Sequence, residues 1–140
     1  MSLIDARNVT KAFGGFKAVD DVSVSVEEGD ILGLIGPNGA GKSTFFNCLT
    51  GDLAVTSGTV SFAGADVTRH PPEVRARLGL ARTFQVPLTF ESMSVLDNAT
   101  IGALLRHPNA RDARAKAREV LERVGLGRLA DAPARSLGTP

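Results

Sequence analysis

The chain has 140 residues, 43% of them hydrophobic, and a formal net charge of +1. This length and composition are typical of one globular domain and give no indication of disorder. The near balance of charge excludes a large field that would attract nucleic acid, and no apolar run approaches the roughly 20 residues that cross a bilayer, so membrane contact is expected only through partners.

An antiparallel layer of strands is predicted in the first part of the chain. Val22, Val24 and Val26 alternate with serines, and the same alternation returns near Val60, which is the period of half-buried strands. Residues 4–9 are a third candidate strand, and glycine-containing breaks separate these segments. We assign residues 1–29 and 57–65 to one antiparallel subdomain.

A strand of a different kind is predicted at residues 30–35, directly before a glycine-rich loop. The run is almost continuously apolar, which is typical of a strand covered on both faces in a parallel sheet. Residues 42–50 contain neither proline nor glycine, and they end at Gly51, where a helix C-cap is expected. The predicted order is therefore strand, loop and helix.

Four more elements are predicted downstream. Residues 72–77 begin a short helix at a proline, and residues 80–84 form a short strand. Ser94 caps a helix over residues 95–106, and another helix spans residues 110–124. The apolar stripe of this last helix consists of Ala113, Ala117, Val120, Leu121 and Val124. We interpret its charged opposite face as solvated rather than as a nucleic-acid patch.

The glycine-rich loop carries the clearest chemical signal. It reads Gly36-Pro37-Asn38-Gly39-Ala40-Gly41-Lys42-Ser43-Thr44. Its glycines let the backbone wrap a triphosphate with amide N–H groups, and the following helix adds its positive N-terminal dipole. Lys42 places a charge beside the β- and γ-phosphates, Ser43 is the expected Mg²⁺ ligand, and Thr44 lies on the α-phosphate side. The predicted nucleotide contacts are Gly36, Asn38, Gly39, Ala40, Gly41, Lys42, Ser43 and Thr44.

This glycine-rich loop is a P-loop, and its sequence resembles the P-loop of the ATP-binding subunits of ABC transporters. Residues 8–23 are similar to the first segment of that family, and residues 82–98 are similar to its Q-loop and the start of its helical subdomain. The resemblance implies an α/β P-loop NTPase fold, with ATP and Mg²⁺ as cofactors. On this basis we assign residues 30–56 and 66–85 to the P-loop core and residues 86–140 to the Q-loop and helical subdomain. The loop alone does not separate ATPases from GTPases or small-molecule kinases.

The resemblance assigns roles to two residues outside the loop. Phe13 stands where the family carries an aromatic side chain that stacks on adenine, and the alternative is an ordinary core position beside the hairpin. Gln85 stands at the glutamine that reaches Mg²⁺ and the attacking water in the family. Gln85 is therefore the candidate catalytic residue and a second candidate Mg²⁺ ligand.

Two short stretches are most similar to importers of branched-chain amino acids. They read Arg82-Thr83-Phe84-Gln85 and Asn47-Cys48-Leu49-Thr50-Gly51. The resemblance implies a motor subunit, peripheral on the cytoplasmic face of the cell membrane, that pairs with a second ATP-binding subunit and with transmembrane permease subunits. The single cysteine and the start of the chain without a secretory leader agree with a reducing cytoplasm. Lipopolysaccharide-export ATPases share much of the same framework.

Several motifs of the family are not found in the printed sequence. Residues 136–140 do not match the Leu-Ser-Gly-Gly-Gln signature, and the acidic strand, its adjacent general base and the switch histidine are missing. We therefore expect the 140 residues to bind ATP without hydrolysing it alone, and residues 30–35 to leave apolar surface uncovered. A soluble ABC-type ATPase outside transport and a non-catalytic nucleotide-binding module stay open as alternatives.

Overall fold

A computed structural model describes residues 2–84, 86 and 88–138, in two compact units. The first unit extends to Arg82, and the second begins at Thr83. Each unit has its own hydrophobic core. Among the residues described, no helix combines the length and the apolar character that a bilayer crossing requires.

The first unit is built on a four-stranded sheet with the strand order β2, β1, β3, β4. β1 (Ser2–Phe13) pairs in antiparallel fashion with β2 (Phe16–Glu27) and with β3 (Ser57–Phe62), and β3 pairs with β4 (Ala65–Asp66). The predicted antiparallel layer is confirmed, and β1 is longer than the six residues expected. Val22, Val24 and Val26 of β2 are half-buried while the intervening serines are exposed, because successive side chains of a strand point to opposite faces.

Two helices complete the first unit. α1 (Lys42–Thr50) begins at the lysine of the glycine-rich loop and ends at Gly51, whose φ of 87° is the left-handed conformation of a C-cap. α2 (Pro72–Leu78) begins at its proline as predicted. The core between the sheet and α1 consists of Ala6, Val9, Val19, Phe45, Cys48, Val60 and Val67.

Two predicted strands are wrong. Residues 30–35 form no strand in the described part of the chain, and Ile31 and Ile35 are 101% and 96% exposed. Residues 80–84 also form no strand. An apolar run becomes a strand only where a neighbouring strand completes its ladder of hydrogen bonds, and no described strand pairs with either run. The expected exposure of apolar side chains in residues 30–35 is confirmed.

The second unit is a pair of helices, α3 (Val95–Ala103) and α4 (Ala110–Arg123), followed by two short 3₁₀ turns at Gly127–Leu129 and Ala134–Ser136. Its core contains Val95, Leu96, Ala117, Leu121 and Ala130.

The N-terminus of α3 is capped as the sequence predicts. The Ser94 hydroxyl oxygen accepts from the Asp97 amide at 3.0 Å, and the same hydroxyl donates to the Asp97 carboxylate at 2.7 Å. Together with the Arg114 guanidinium, this hydroxyl holds the pKa of Asp97 below its usual value. The cap fixes the start of the helix because it satisfies a first-turn amide that has no carbonyl partner.

α3 is shorter than predicted, and α4 matches its predicted bounds but buries fewer side chains than predicted. α3 stops at Ala103 rather than at residue 106, because residues 104–106 tighten into a turn before Pro108. Val120 and Val124 of the predicted stripe are 41% and 62% exposed, so the buried stripe of α4 is narrower than predicted.

Candidate functional site

The glycine-rich loop lies between residues 30–35, which form neither helix nor strand, and α1, and residues 36–40 are exposed. Gly39 and Gly41 have φ values of 84° and 85°. Side chains with a Cβ rarely adopt this conformation, so the turn of the loop depends on glycine at both positions.

Gly41 has a second constraint. A Cβ at this position would lie 2.1 Å from the Ala18 carbonyl oxygen of β2. The end of the loop is therefore packed directly on the backbone of the sheet, and only a residue without a side chain fits there. This contact places the start of α1 against β2.

Lys42 is the first residue of α1, and its side chain folds back over the loop. Its Nζ donates to the carbonyl oxygens of Gly36 and Pro37 at 2.6 and 2.7 Å. The Ala40 amide donates a hydrogen bond to the Pro37 carbonyl oxygen at 3.2 Å, which closes the turn at residues 37–40. The ammonium is thus held beside the loop backbone, where an anion seated in the loop would meet it.

The N-terminus of α1 has features that favour an anion. Gly41 provides no side-chain cap, and the first turn contains no acidic residue. The amides of Lys42, Ser43 and Thr44 lie in this first turn, where helix geometry offers no carbonyl partner. The Ser43 side chain is exposed and Thr44 is half-buried. Uncapped amides, the helix dipole and one lysine are the donor set that binds phosphate groups.

Phe13 ends β1 and is 49% exposed, so it is not a core residue. The Lys11 ammonium lies 5.1 Å from the centroid of its ring, within the range of a cation–π contact. Lys11 Nζ also donates to the Ala54 carbonyl oxygen at 2.7 Å, which fixes the ammonium in place. One side of the ring is therefore covered by a charge that the protein itself holds.

The structure says less about the candidate Mg²⁺ ligands than about the loop. Gln85 lies outside the described residues, so its predicted catalytic and Mg²⁺ roles stay predictions. Within the described ranges, no three His, Cys, Asp or Glu side chains lie together as a metal cluster. Among the described residues, the predicted magnesium site therefore depends on the exposed Ser43 hydroxyl.

Two arginines contact the C-terminal end of α1 from later parts of the chain, and the sequence did not predict these contacts. Arg75 is 1% exposed, and its guanidinium donates to four backbone carbonyl oxygens, two of them in α1. Burial lowers its pKa. Arg82 donates to the Asn47 side-chain oxygen and, at 3.0 Å, to the Asp52 carboxylate. The Arg82-Thr83-Phe84-Gln85 motif singled out this segment in the sequence, but only the structure shows which side chains Arg82 contacts.

The antiparallel sheet, the glycine loop and a helix that starts at the loop lysine define the class: the chain has the α/β fold of the P-loop NTPases. A family model described as ABC transporter matches residues 19–139. The chain belongs to this family, and the fold class expected from the sequence is confirmed.

Two similar curated proteins are ATP-binding proteins of branched-chain amino acid transport. A probable branched-chain amino acid transport ATP-binding protein, LivG, of Methanocaldococcus jannaschii is 44% identical over 104 residues, which is 74% of this chain and 40% of the relative. The high-affinity branched-chain amino acid transport ATP-binding protein LivG of Salmonella typhimurium is 37% identical over 139 residues, which is 89% of this chain and 54% of the relative. The chain thus spans about half the length of the curated relatives it matches.

Two solved structures of ATP-binding cassettes have a fold similar to that of this chain. A nucleotide-free ATP-binding cassette from an ABC transporter superposes with a TM-score of 0.84 at 36% identity, covering 99% of this chain and 60% of the other. The ADP conformation of an ATP-binding cassette of an ABC transporter gives the same TM-score and identity, with 99% and 59% coverage.

Proposed function

We propose that this chain binds ATP in the loop of residues 36–44 and is the nucleotide-binding part of a transport ATPase for branched-chain amino acids. The observation that carries the proposal is the loop geometry. Two left-handed glycines place the uncapped start of α1 beside an ammonium that is bonded to the loop backbone. The names of the relatives support the choice of nucleotide and cargo.

ATP fits this donor set by charge and by shape. The loop offers backbone N–H groups and one ammonium to a polyanion, and side chains are absent where the glycines turn. In the proposed complex, Lys42 donates to the phosphate oxygens, and the amides from Asn38 to Thr44 surround the β-phosphate. Ser43 provides a hydroxyl oxygen for Mg²⁺, which neutralises phosphate charge when it is bound.

Phe13 supplies the adenine contact in this proposal. Its ring is half exposed at the end of β1, beside the anchored Lys11 ammonium, and we place the stacked base on the exposed part of the ring. Stacking on an aromatic ring accepts any base, so Phe13 contributes affinity more than selection among bases.

Hydrolysis and transport are proposed for the longer cassette that the relatives form. Gln85 would orient the attacking water there, a second ATP-binding subunit would close the site, and transmembrane permease subunits would receive the motion at the cytoplasmic face of the membrane. Membrane association would occur only through those permease subunits. For residues 1–140 the proposal is limited to ATP binding.

Lys42→Ala tests the site directly. We expect the wild-type chain to bind a fluorescent ATP analogue saturably with Mg²⁺, and the variant to bind roughly 10- to 150-fold more weakly, because a charged hydrogen-bond donor contributes about 1.5–3 kcal/mol. Equilibrium titration by fluorescence anisotropy gives both dissociation constants. The matched control is Lys116→Ala, which removes an ammonium paired with Glu119 on α4. Equal affinities of the wild-type chain and the Lys42 variant would contradict the proposed site.

Phe13→Ala tests the adenine contact. Loss of a stacking partner costs about 1–3 kcal/mol, so we expect at least about a fivefold weaker affinity for ATP. Phe16→Ala is the matched control, because Phe16 pairs with Phe13 across the hairpin and is 65% exposed. Competition with inorganic triphosphate separates base from phosphate contacts: the Phe13 variant should bind it normally. Equal losses of ATP affinity in the two variants would assign no stacking role to Phe13.

A further inference from the structure

Asn38 differs from the other asparagines of the chain in both its sequence and its surroundings. It is followed directly by Gly39, whereas a residue with a side chain follows each of the other four. Asn38 is exposed, and within the part of the chain that the structure describes its side chain has no hydrogen bond. The side chains of the other asparagines all form hydrogen bonds: Asn8, Asn47, Asn98 and Asn109.

Little hinders the backbone nitrogen of Gly39, the residue that follows Asn38. Gly39 is exposed, and a Cβ at this position would meet no atom within 4 Å. The turn at residues 37–40 is closed by the Ala40 amide, while the Gly39 amide has no backbone acceptor among the described residues. Asparagine side chains readily reach the neighbouring backbone, and glycine offers no side chain to block them. The Gly39 nitrogen is therefore available to react with the Asn38 side chain.

The loop around Asn38 also favours negative charge. Attack of a backbone nitrogen on a side-chain amide passes through an intermediate with a negatively charged oxygen. Lys42 Nζ lies 2.7 Å from the carbonyl oxygen of Pro37, the residue before Asn38, and α1 begins after the loop without a side-chain cap. An ammonium and an uncapped helix start stabilise an oxyanion that develops beside them. The features that suit phosphate groups therefore suit this intermediate as well.

We propose that Asn38 is a site of spontaneous deamidation, and that this modification inactivates the glycine-rich loop. Hydroxide removes the Gly39 N–H proton, the nitrogen bonds to the Asn38 side-chain carbon, and the amide nitrogen takes a proton from water and leaves as ammonia. Water then opens the cyclic imide at either of its two C–N bonds, which gives aspartate or isoaspartate. The net reaction consumes water and releases ammonia, with no oxidation or reduction.

Either product changes the loop where phosphate groups would bind. Both carry a carboxylate at position 38, which repels a polyanion at short range. Isoaspartate also adds a methylene group to the backbone, so the amides that follow it are displaced. The modified chain should therefore lose affinity for ATP.

Bound nucleotide should prevent the reaction, and this part of the inference rests on the proposed function. In the proposed complex the amides from Asn38 to Thr44 point at phosphate oxygens. The Gly39 N–H then keeps its proton, and the phosphates exclude hydroxide from the loop. The nucleotide-free chain should age at Asn38, and the chain with bound nucleotide should not.

The experiment incubates the purified chain in mildly alkaline buffer, alone or with Mg²⁺ and a non-hydrolysable ATP analogue. Mass spectrometry of the tryptic peptide of residues 18–42 follows the replacement of the amide by a carboxyl group. Peptides that contain the other asparagines are references in the same sample. We expect Asn38 to be modified first. With the analogue at about 20 times its dissociation constant, the rate should fall at least about tenfold, because only the unoccupied fraction reacts.

Two variants connect the modification to binding, which fluorescence anisotropy measures. Asn38→Gln keeps an amide but needs a larger ring to react, so its ATP affinity should stay constant during the incubation. The affinity of the wild-type chain should fall in step with the modified fraction. Asn38→Asp carries the charge of one product and should bind ATP at least about tenfold more weakly than the fresh wild-type chain.

The possible failures are distinguishable. Modification of Asn38 no faster than that of the other four asparagines would overturn the proposal, and so would undiminished ATP binding by the modified chain. An equal rate with the analogue bound would overturn the protection by nucleotide. Failure of the fresh chain to bind ATP would contradict the proposed function, whereas the mass measurement on the chain alone tests the deamidation without any nucleotide.

Discussion

Replacing Arg75 by methionine is expected to destabilise the first unit by about 3–5 kcal/mol, because the change leaves buried carbonyl groups without a donor. The guanidinium donates to the carbonyl oxygens of Cys48, Leu49, Thr68 and His70 at 2.7–3.0 Å. A small domain has only about 5–15 kcal/mol of stability, so the loss is a large part of the total.

The apolar replacement does not compensate here. Exchanging both members of a buried ion pair for apolar residues can be neutral, since no polar group is then left behind. The partners of Arg75 are backbone carbonyls, which no substitution removes. Two of them belong to the last turn of α1, where helix geometry leaves carbonyls unpaired and where a positive charge is favourable for the helix dipole.

Cys48 provides the measurement. It is the only cysteine, it is fully buried in the core of the first unit, and burial raises the pKa of its thiol, so it should react slowly with a disulfide reagent until that unit unfolds. The urea midpoint for labelling of Cys48 should fall sharply in Arg75→Met. Arg77→Met, an exposed site on the same helix, should leave it unchanged. Equal midpoints for wild type and Arg75→Met would show that Arg75 is not required.

Local patterns predicted the elements whose partners are near in sequence. The alternating valines of β2 pair with β1 through a tight hairpin, and α1 is delimited by its lysine and by Gly51. The P-loop could be recognised because its chemistry fixes residue types at fixed spacing. The cap at Ser94 likewise depends only on the next few residues.

Prediction failed where a residue depends on distant partners. The apolar run at residues 30–35 carries the composition of a buried strand, but composition supplies no neighbouring strand, and the described sheet contains none for it. Arg75 looks like a solvated helix arginine in the sequence, and its burial follows from carbonyls up to 27 residues away. Arg82 also contacts side chains that are 30 or more residues away in the sequence.

Gly41→Ala is expected to abolish nucleotide binding while it destabilises the first unit by roughly 2–5 kcal/mol. The left-handed φ of 85° costs about 1–2 kcal/mol once a Cβ is present. The added methyl group would also lie 2.1 Å from the Ala18 carbonyl oxygen, so the loop or β2 must move. Any such movement displaces the amides at the start of α1 that the phosphates need.

Gly29→Ala separates these two effects. Gly29 has a φ of 87°, but a Cβ there would meet no atom within 4 Å. This control should show the conformational cost of about 1–2 kcal/mol in Cys48 labelling and unchanged affinity in the ATP titration. If Gly41→Ala matched it in both measurements, the close approach of the loop to β2 would have no consequence for binding. A larger loss confined to Gly41→Ala would assign that loss to the contact with Ala18, since strain of the backbone is common to both variants.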